Sequence, residues 1–254
     1  MPVPPDHPLH HDRHVRSNGY DPDWVIANQM GPNALWLLES LLEVLPIESD
    51  AKVLDLGCGT AMTSIFLARE LGARVWATDL WIPAAANQER VVAAGVEDLV
   101  TPIHAEAHAL PYAAGFFDVI VSIDAYHYFG TDDLYLGTAV DLLGDGGRIG
   151  VAVPSMLQEP DEVPDHLVPF WEPEYCSFHS PSWWRRHWTR SGRVEVDHAD
   201  AVPDGWRDWL RFTEASGPAM EGWRADAAAT ELRMLEADGG EHLGFARVAA
   251  TRTV

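Results

Sequence analysis

Val53-Leu54-Asp55-Leu56-Gly57-Cys58-Gly59-Thr60 is the stretch on which the fold turns. Residues 53–56 read as a buried strand and Gly57 to Gly59 as a tight turn. The apolar residues spaced along 61–71 read as a helix, with Thr60 as its expected N-cap. A second strand over 74–79 ends in Asp79, 20 residues past Gly59. Glycine has no Cβ, so a ligand can approach the backbone at such a turn. In open α/β sheets the carboxyl ends of the strands hold the ligand, and a second-strand acid at about this spacing meets ribose hydroxyls. A lone Gly-x-Gly after a strand is commonly only a turn, so the weight rests on what accompanies it.

The chemistry around the turn narrows the ligand. A dinucleotide fingerprint wants glycine at 57, 59 and 62, and position 62 is Met. No Gly-Lys-Ser/Thr follows, which excludes a phosphate P-loop. Asp55 precedes the turn by two residues. A carboxylate there repels a pyrophosphate and attracts an ammonium or a sulfonium. An adenosine with a cationic amino acid attached, S-adenosylmethionine, fits both acids.

Further segments strengthen this reading. Asp79-Leu80, Glu106-Ala107 with Leu110-Pro111-Tyr112, Phe117-Asp118-Val119-Ile120-Val121 and Gly146-Gly147-Arg148 follow in order. With Asp55-Leu56-Gly57-Cys58-Gly59-Thr60 they resemble the motif series of class I S-adenosylmethionine-dependent methyltransferases, small-molecule branch, over roughly residues 30 to 154. The match departs at Ala61, where a third glycine is usual, and at Glu106, where Asp is usual. The resemblance implies that Asp55, Gly57, Cys58, Gly59, Thr60, Asp79, Leu80, Glu106 and Ala107 hold the cofactor, with Glu106-Ala107 facing the adenine. It places Asn28-Gln29-Met30-Gly31-Pro32 near the cofactor's methionine end, with Gly31 as the contact. Tyr20 is the aromatic expected to close over the cofactor.

The remaining elements extend the pattern. Leu35, Leu37, Leu38, Leu41, Leu42 and Leu45 recur at helical intervals before Pro46. Strands are expected at 52–57, 74–79, 100–104, 117–123, 147–153 and 193–198, with a last one at Leu243 to Thr251. Helices are expected at 61–71, 83–94, 132–143, 181–191 and about 204–236. The expected fold is α/β: a doubly wound, seven-stranded, mostly parallel sheet with helices on both faces. The resemblance implies that the last strand runs antiparallel. Residues 1–17, with three early prolines and His7, His10, His11 and His14, read as a mobile arm, and 18–50 as a helical cap. Residues 51–153 read as the cofactor core. Residues 154–254 read as a lid segment with the last helices and strands, the lid carrying Pro160, Pro164, Pro169 and Pro173.

Composition sets the partners. The chain has 254 residues, 17 basic and 39 acidic side chains and a net charge of −22. Nucleic-acid binding needs basic patches, so neither DNA nor RNA is expected as a substrate, nor an anionic membrane surface. A small-molecule acceptor, cationic or aromatic, is the expected partner, and a homodimer is a candidate assembly. Cys58 and Cys176 make no disulfide framework. No metal cluster stands out, and the absence of a leader or a long apolar run leads to a cytoplasmic expectation.

Methyl transfer from a sulfonium is an in-line displacement in which alignment can supply on the order of 7–11 kcal/mol. A base is needed only where the nucleophile arrives protonated. The candidates follow the fourth strand: His127 as base and Tyr126 beside it, with Asp124 on the cofactor side. His127 reads equally as a structural histidine, and Tyr126 and Tyr128 as pocket walls or core. The tryptophans (11 in the chain) suggest a cation-binding wall from Trp171, Tyr175, Phe178, Trp183, Trp184 and Trp188, or else helix packing. Two other readings remain: an enzyme of this fold that uses the cofactor without methylating, as in cyclisation, and a non-catalytic cofactor-binding module.

Overall fold

The computed structural model describes residues 1–253. Its sheet has the strand order β3-β2-β1-β4-β5-β7-β6. The strands are β1 (Lys52–Leu56), β2 (Arg74–Asp79), β3 (Val100–His104), β4 (Phe117–Ile123), β5 (Leu143–Met156), β6 (Val194–Ala201) and β7 (Leu243–Arg252). All pairs among β1 to β5 are parallel. β7 inserts antiparallel between β5 and β6. β1 therefore sits mid-sheet, and the chain reverses its winding direction between β1 and β4, where a crevice opens. Pro102 lies on β3 opposite Ala77; an edge strand tolerates the missing N–H.

Helices cover both faces: α1 (Pro22–Asn28), α2 (Ala34–Leu42), α3 (Met62–Leu71), α4 (Ala84–Ala94), α5 (Tyr135–Asp141), α6 (Pro181–Ser191), α7 (Gly205–Ser216) and α8 (Trp223–Asp238). One core layer holds Leu35, Leu38, Leu41, Ile65 and Phe66 against one face of the sheet; the other holds Tyr126, Tyr135, Trp184 and Trp188 against the opposite face. The end of α2 and the turn after it approach β5 so closely that a Cβ on Gly150 would lie 3.2 Å from Leu41 Cδ1 and 2.5 Å from Leu45 Cδ2. Ser180 caps α6 by accepting from the Trp183 N–H. That helix then delivers Trp184 and Trp188, one turn apart, fully buried beneath the sheet.

Several expectations are corrected. β5 runs from 143 to 156, longer than the expected 147–153, because β7 pairs with it as far as Met156. The helical stretch from 204 is two helices, broken at Gly217 to Gly222. Thr60 does not cap α3. Ala61 occupies that position with φ 62°, without a side-chain cap, and the Thr60 hydroxyl donates instead to Asn28 O at 2.5 Å.

Residues 1–17 do not form a loose arm. Val3 and Leu9 are buried, Val3 N–H donates to Asn18 O, and His11 Nε2 lies 2.9 Å from Asp208 Oδ1 on α7. The hydrophobic and polar partners for this segment come from far along the chain, where local sequence pattern cannot reveal them.

Candidate functional site

A cleft of about 1070 Å³, counted with its open mouth, lies at the carboxyl ends of β1, β2 and β4. Gly31, Gly57, Cys58, Gly59, Thr60, Asp79, Leu80, Glu106, Ala107 and Asp124 all line it. Asp55, Tyr126 and His127 do not.

The turn after β1 is shaped by its glycines. Gly57 has φ 75° and a Cβ there would meet Ala125 Cβ at 2.4 Å. Gly59 has φ 52° and a Cβ would lie 2.9 Å from Met30 Sδ. A side chain at either place costs left-handed strain and a collision. The turn's amides are consumed internally. Gly57 and Cys58 N–H both donate to Thr78 O, at 2.8 and 3.1 Å. Gly59 N–H donates to Asp79 Oδ2 at 2.9 Å. A pyrophosphate nest needs such amides aimed outward, so the turn offers close approach without an anion hole.

Asp79 is mostly buried at the lip of the cleft. Its Oδ1 accepts from Trp81 and Ile82 N–H, at 2.7 and 2.9 Å. Three amide contacts from two loops orient this carboxylate, and no Lys or Arg side chain pairs with it among the described residues. Asn87 Nδ2 donates to Gly59 O at 2.9 Å, and Arg90 donates to both Asn87 Oδ1 and Asn28 Oδ1. The glycine turn is thus tied to α4 and to the end of α1. On the far wall Thr78 Oγ1 lies 2.5 Å from the Tyr112 hydroxyl. Glu106 is exposed at the rim, bonded to the ring and amide of His108.

Asp55 corrects the simplest electrostatic expectation. It is fully buried under the turn, and its Oδ2 accepts from the hydroxyls of Thr63 and Ser64, both at 2.6 Å. Oδ1 is buried and accepts nothing. Burial pushes its pKa up to about 6 and the Asp79 charge adds to that, against the two hydroxyl bonds. Asp55 therefore acts one layer behind the cleft wall. An unsatisfied buried carboxylate oxygen there makes the region behind the turn favourable to a nearby positive charge.

Asp124 follows β4 with φ 54°, an uncommon conformation for a residue with a side chain. Its carboxylate lies against Gly31: a Cβ on Gly31 would stand 2.4 Å from Asp124 Oδ2. Burial, with the charge of Glu231 on α8, holds the Asp124 carboxyl well above the usual range. Tyr128 also lines the cleft and is exposed, its ring 5.9 Å from that of Trp81.

The catalytic candidates are corrected. Tyr126 is fully buried among Phe129, Tyr135, Trp184 and Trp188. His127 is buried against Phe178, its Nδ1 has no partner, and burial lowers its pKa to about 3. The short 3-10 turn Tyr126–Tyr128 explains both outcomes. Its tight winding sends the first two side chains inward and the third, Tyr128, to the cleft. Tyr20 is likewise buried, bonded to Glu70 and stacked on Phe66. Cys58 lines the cleft, but burial holds its thiol well above the usual range, so it is a packing residue. Trp184, Trp188 and Trp209 are core, while Trp223 is exposed.

Asn28 and Met30, in the segment placed near the cofactor's methionine end, line the cleft, whereas Trp81 and Ala125 were missed. A legible signal existed for Trp81, a large aromatic two residues past the acid that ends β2. Ala125 carried none, because its place depends on packing against Gly57.

Residues 53–147 match the family model of a methyltransferase domain. The methyltransferase GfsG of Streptomyces halstedii is 32% identical over 139 residues, covering 53% of this chain and 49% of that protein. The chain spans about half or less of the length of the curated relatives it matches. Among solved structures, the [4+2]-cyclase SpnF superposes with a TM-score of 0.69 at 18% identity, over 86% of this chain and 80% of that one. A methyltransferase of Geobacter sulfurreducens in complex with S-adenosyl-L-homocysteine superposes with a TM-score of 0.66 at 20% identity, over 86% and 91%. At such identities the superpositions establish the fold. Among the described residues no helix is long and apolar enough to cross a membrane.

Proposed function

We propose that this chain, whose residues 53–147 form a methyltransferase domain of the class I S-adenosylmethionine-dependent type, transfers a methyl group to a small-molecule acceptor. The observation that carries the proposal is the glycine turn with its amides turned inward, backed by Asp79 and by the unsatisfied Asp55. That combination admits an adenosyl group against bare backbone and favours positive charge over phosphate. Gly57, Gly59 and Asp79 would hold the nucleoside, with Leu80, Glu106 and Ala107 along the adenine side. Gly31 and Asp124 would border the amino-acid end.

The cofactor supplies a methyl group already attached to a sulfonium leaving group. The chain's work is then alignment and exclusion of water. No base is supplied by His127, which is neutral and off the cleft. Tyr128 and Trp81 are the exposed aromatic side chains of the cleft. Their aromatic faces, with rings 5.9 Å apart, support an acceptor with cationic or aromatic character.

The test is calorimetry with S-adenosylhomocysteine, followed by incubation with methyl-labelled cofactor and a low-molecular-weight metabolite extract. Binding with label in product supports the reading. Absence of heat would overturn the cofactor assignment, and methylthioadenosine release without label transfer would favour a non-methylating use of the cofactor. That second reading is kept because the SpnF cyclase shares the fold.

A further inference from the structure

Two clusters of histidine and carboxylate lie outside the cleft. In each, ligand atoms sit within 4.8 Å of one another: His11, His14 and Asp208, and His166, Asp238 and His242. Their chemistry differs. The first already contains a cation: Arg13 donates to Asp208 Oδ2 at 3.2 Å and to Pro203 O at 2.7 Å, and reaches His14 Nε2 at 3.5 Å. A metal ion there would meet a guanidinium. The second contains none: among the described residues Asp238 pairs only with His166 and His242. Its sequence neighbours, Asp165 and Glu241, add negative charge.

The second cluster has the dimensions of a coordination sphere. His166 Nε2 lies 3.0 Å and His242 Nδ1 3.4 Å from Asp238 Oδ1. Ligands on a tetrahedral ion with bonds of 2.0–2.1 Å stand about 3.3–3.4 Å apart. His242 Nδ1 is buried and makes no hydrogen bond, so it is a donor set's missing partner. The Asp238 side chain is almost wholly buried and accepts from the His242 and Leu243 N–H groups. Those amide bonds fix the carboxylate's direction, as outer contacts do for metal ligands. Both imidazoles are partly exposed, which leaves an entry path.

We propose that His166, Asp238 and His242 bind a divalent transition metal of the zinc class, which clips the 157–178 segment to the turn between α8 and β7. The segment is already closed at its neck: Met156 N–H donates to Phe178 O, and Leu157 N–H to His242 O. His166 sits between those anchors, so a metal would add a second fastening to the same turn. The segment ends at Tyr175 and Phe178, packed on the turn that brings Tyr128 to the cleft. Fastening it would steady the acceptor wall. Asp238, His166 and His242 neither line the cleft nor enter the methyl-transfer reading, so the two stand or fall separately.

The experiment is titration of chelator-stripped full-length protein with Co²⁺, read by visible absorption, and with Zn²⁺ against a chromophoric chelator. Thermal unfolding with and without Zn²⁺ runs beside it. Wild type should take up one equivalent and gain thermal stability. His166→Ala and His242→Ala should each bind at least ~10-fold more weakly and lose the thermal gain, whereas His11→Ala should behave as wild type. His166→Gln serves if the alanine variant is misfolded by circular dichroism. No uptake by wild type, or equal uptake by the His166 and His242 variants, would leave a hydrogen-bonded trio only and overturn the proposal.

Discussion

The two walls of the cleft are built from different materials. The cofactor wall, at β1 and β2, is mainly backbone: Gly57, Gly59 and the amides that Asp79 and Thr78 collect. The wall proposed for the acceptor is mainly side chain: Tyr128 after β4 and Trp81 after β2, with Phe178 of the 157–178 segment packed on the neighbouring His127. A backbone wall has few solutions, because positive φ and close approach admit almost nothing but glycine. A side-chain wall has many, because aromatic and acidic groups can change without moving the sheet. The cofactor is accordingly readable from residues, and the acceptor is not.

The sharpest way to break that contrast is Gly57→Val. Left-handed strain and overpacking against Ala125 each cost about 1–3 kcal/mol, so affinity for S-adenosylhomocysteine should fall on the order of 100-fold by calorimetry. Gly72 has φ 70° too, but nothing lies within 4 Å of its Cβ position. Gly72→Ala should lose stability alone, by about 1 kcal/mol, with affinity unchanged. Equal affinity losses in both variants would mean that strain, not the cleft, is being read.

Asp79→Ala comes next. Hydrogen bonds to a charged group are worth about 1.5–3 kcal/mol, so affinity should drop roughly 10- to 100-fold. Asp79→Asn, which keeps an acceptor for one loop, should fall between. Unchanged affinity in the alanine variant would remove Asp79 from the nucleoside contact.

How far the sequence carried follows from the same contrast. The places of seven strands along the chain and the residues of the glycine turn were legible because apolar runs, glycines and the spacing from Gly59 to Asp79 are local. The place of Asp55 was legible only in part: its acidity was seen, and its burial was not, because Thr63 and Ser64 supply hydroxyls from the next helix. The packing of residues 1–17 was invisible, since Asp208 lies nearly 200 residues away.

Asp55 allows a pH test of the layer behind the turn. Its folded pKa, about 6, is above the ordinary 3.8. The protonated carboxyl is therefore favoured in the fold, and that contribution is complete below the unfolded value and lost as pH rises through 6. Relative to Asp55→Asn, wild type should lose about 2–3 kcal/mol between pH 4 and 7, read as diverging unfolding midpoints in urea. Parallel midpoints across that window would mean that Asp55 is solvated after all. Tyr128→Ala belongs to the opposite wall. It should raise the KM of an identified acceptor by roughly 3- to 10-fold, the range of an aromatic contact with a cation, while S-adenosylhomocysteine affinity stays near wild type. A loss of cofactor affinity instead would show that the two walls are not separable.

The smallest effect is expected where sequence pointed to the largest. His127 follows the fourth strand at the position from which a base could serve the cleft, and its ordinary pKa suits neutral pH. The 3-10 turn instead buries it against Phe178, and the resulting fall in pKa to about 3 keeps it neutral across the physiological range. A neutral imidazole without access to the cleft cannot take a proton from an acceptor. His127→Phe preserves the aromatic volume and removes the unpartnered Nδ1, so turnover should stay within about 3-fold of wild type, since general-base loss would cost about 10²–10⁴-fold. The acid limb of the pH–rate profile should not move. A fall of 100-fold, or disappearance of that limb, would place His127 back in the reaction and require the Tyr126–Tyr128 turn to unwind when the acceptor binds.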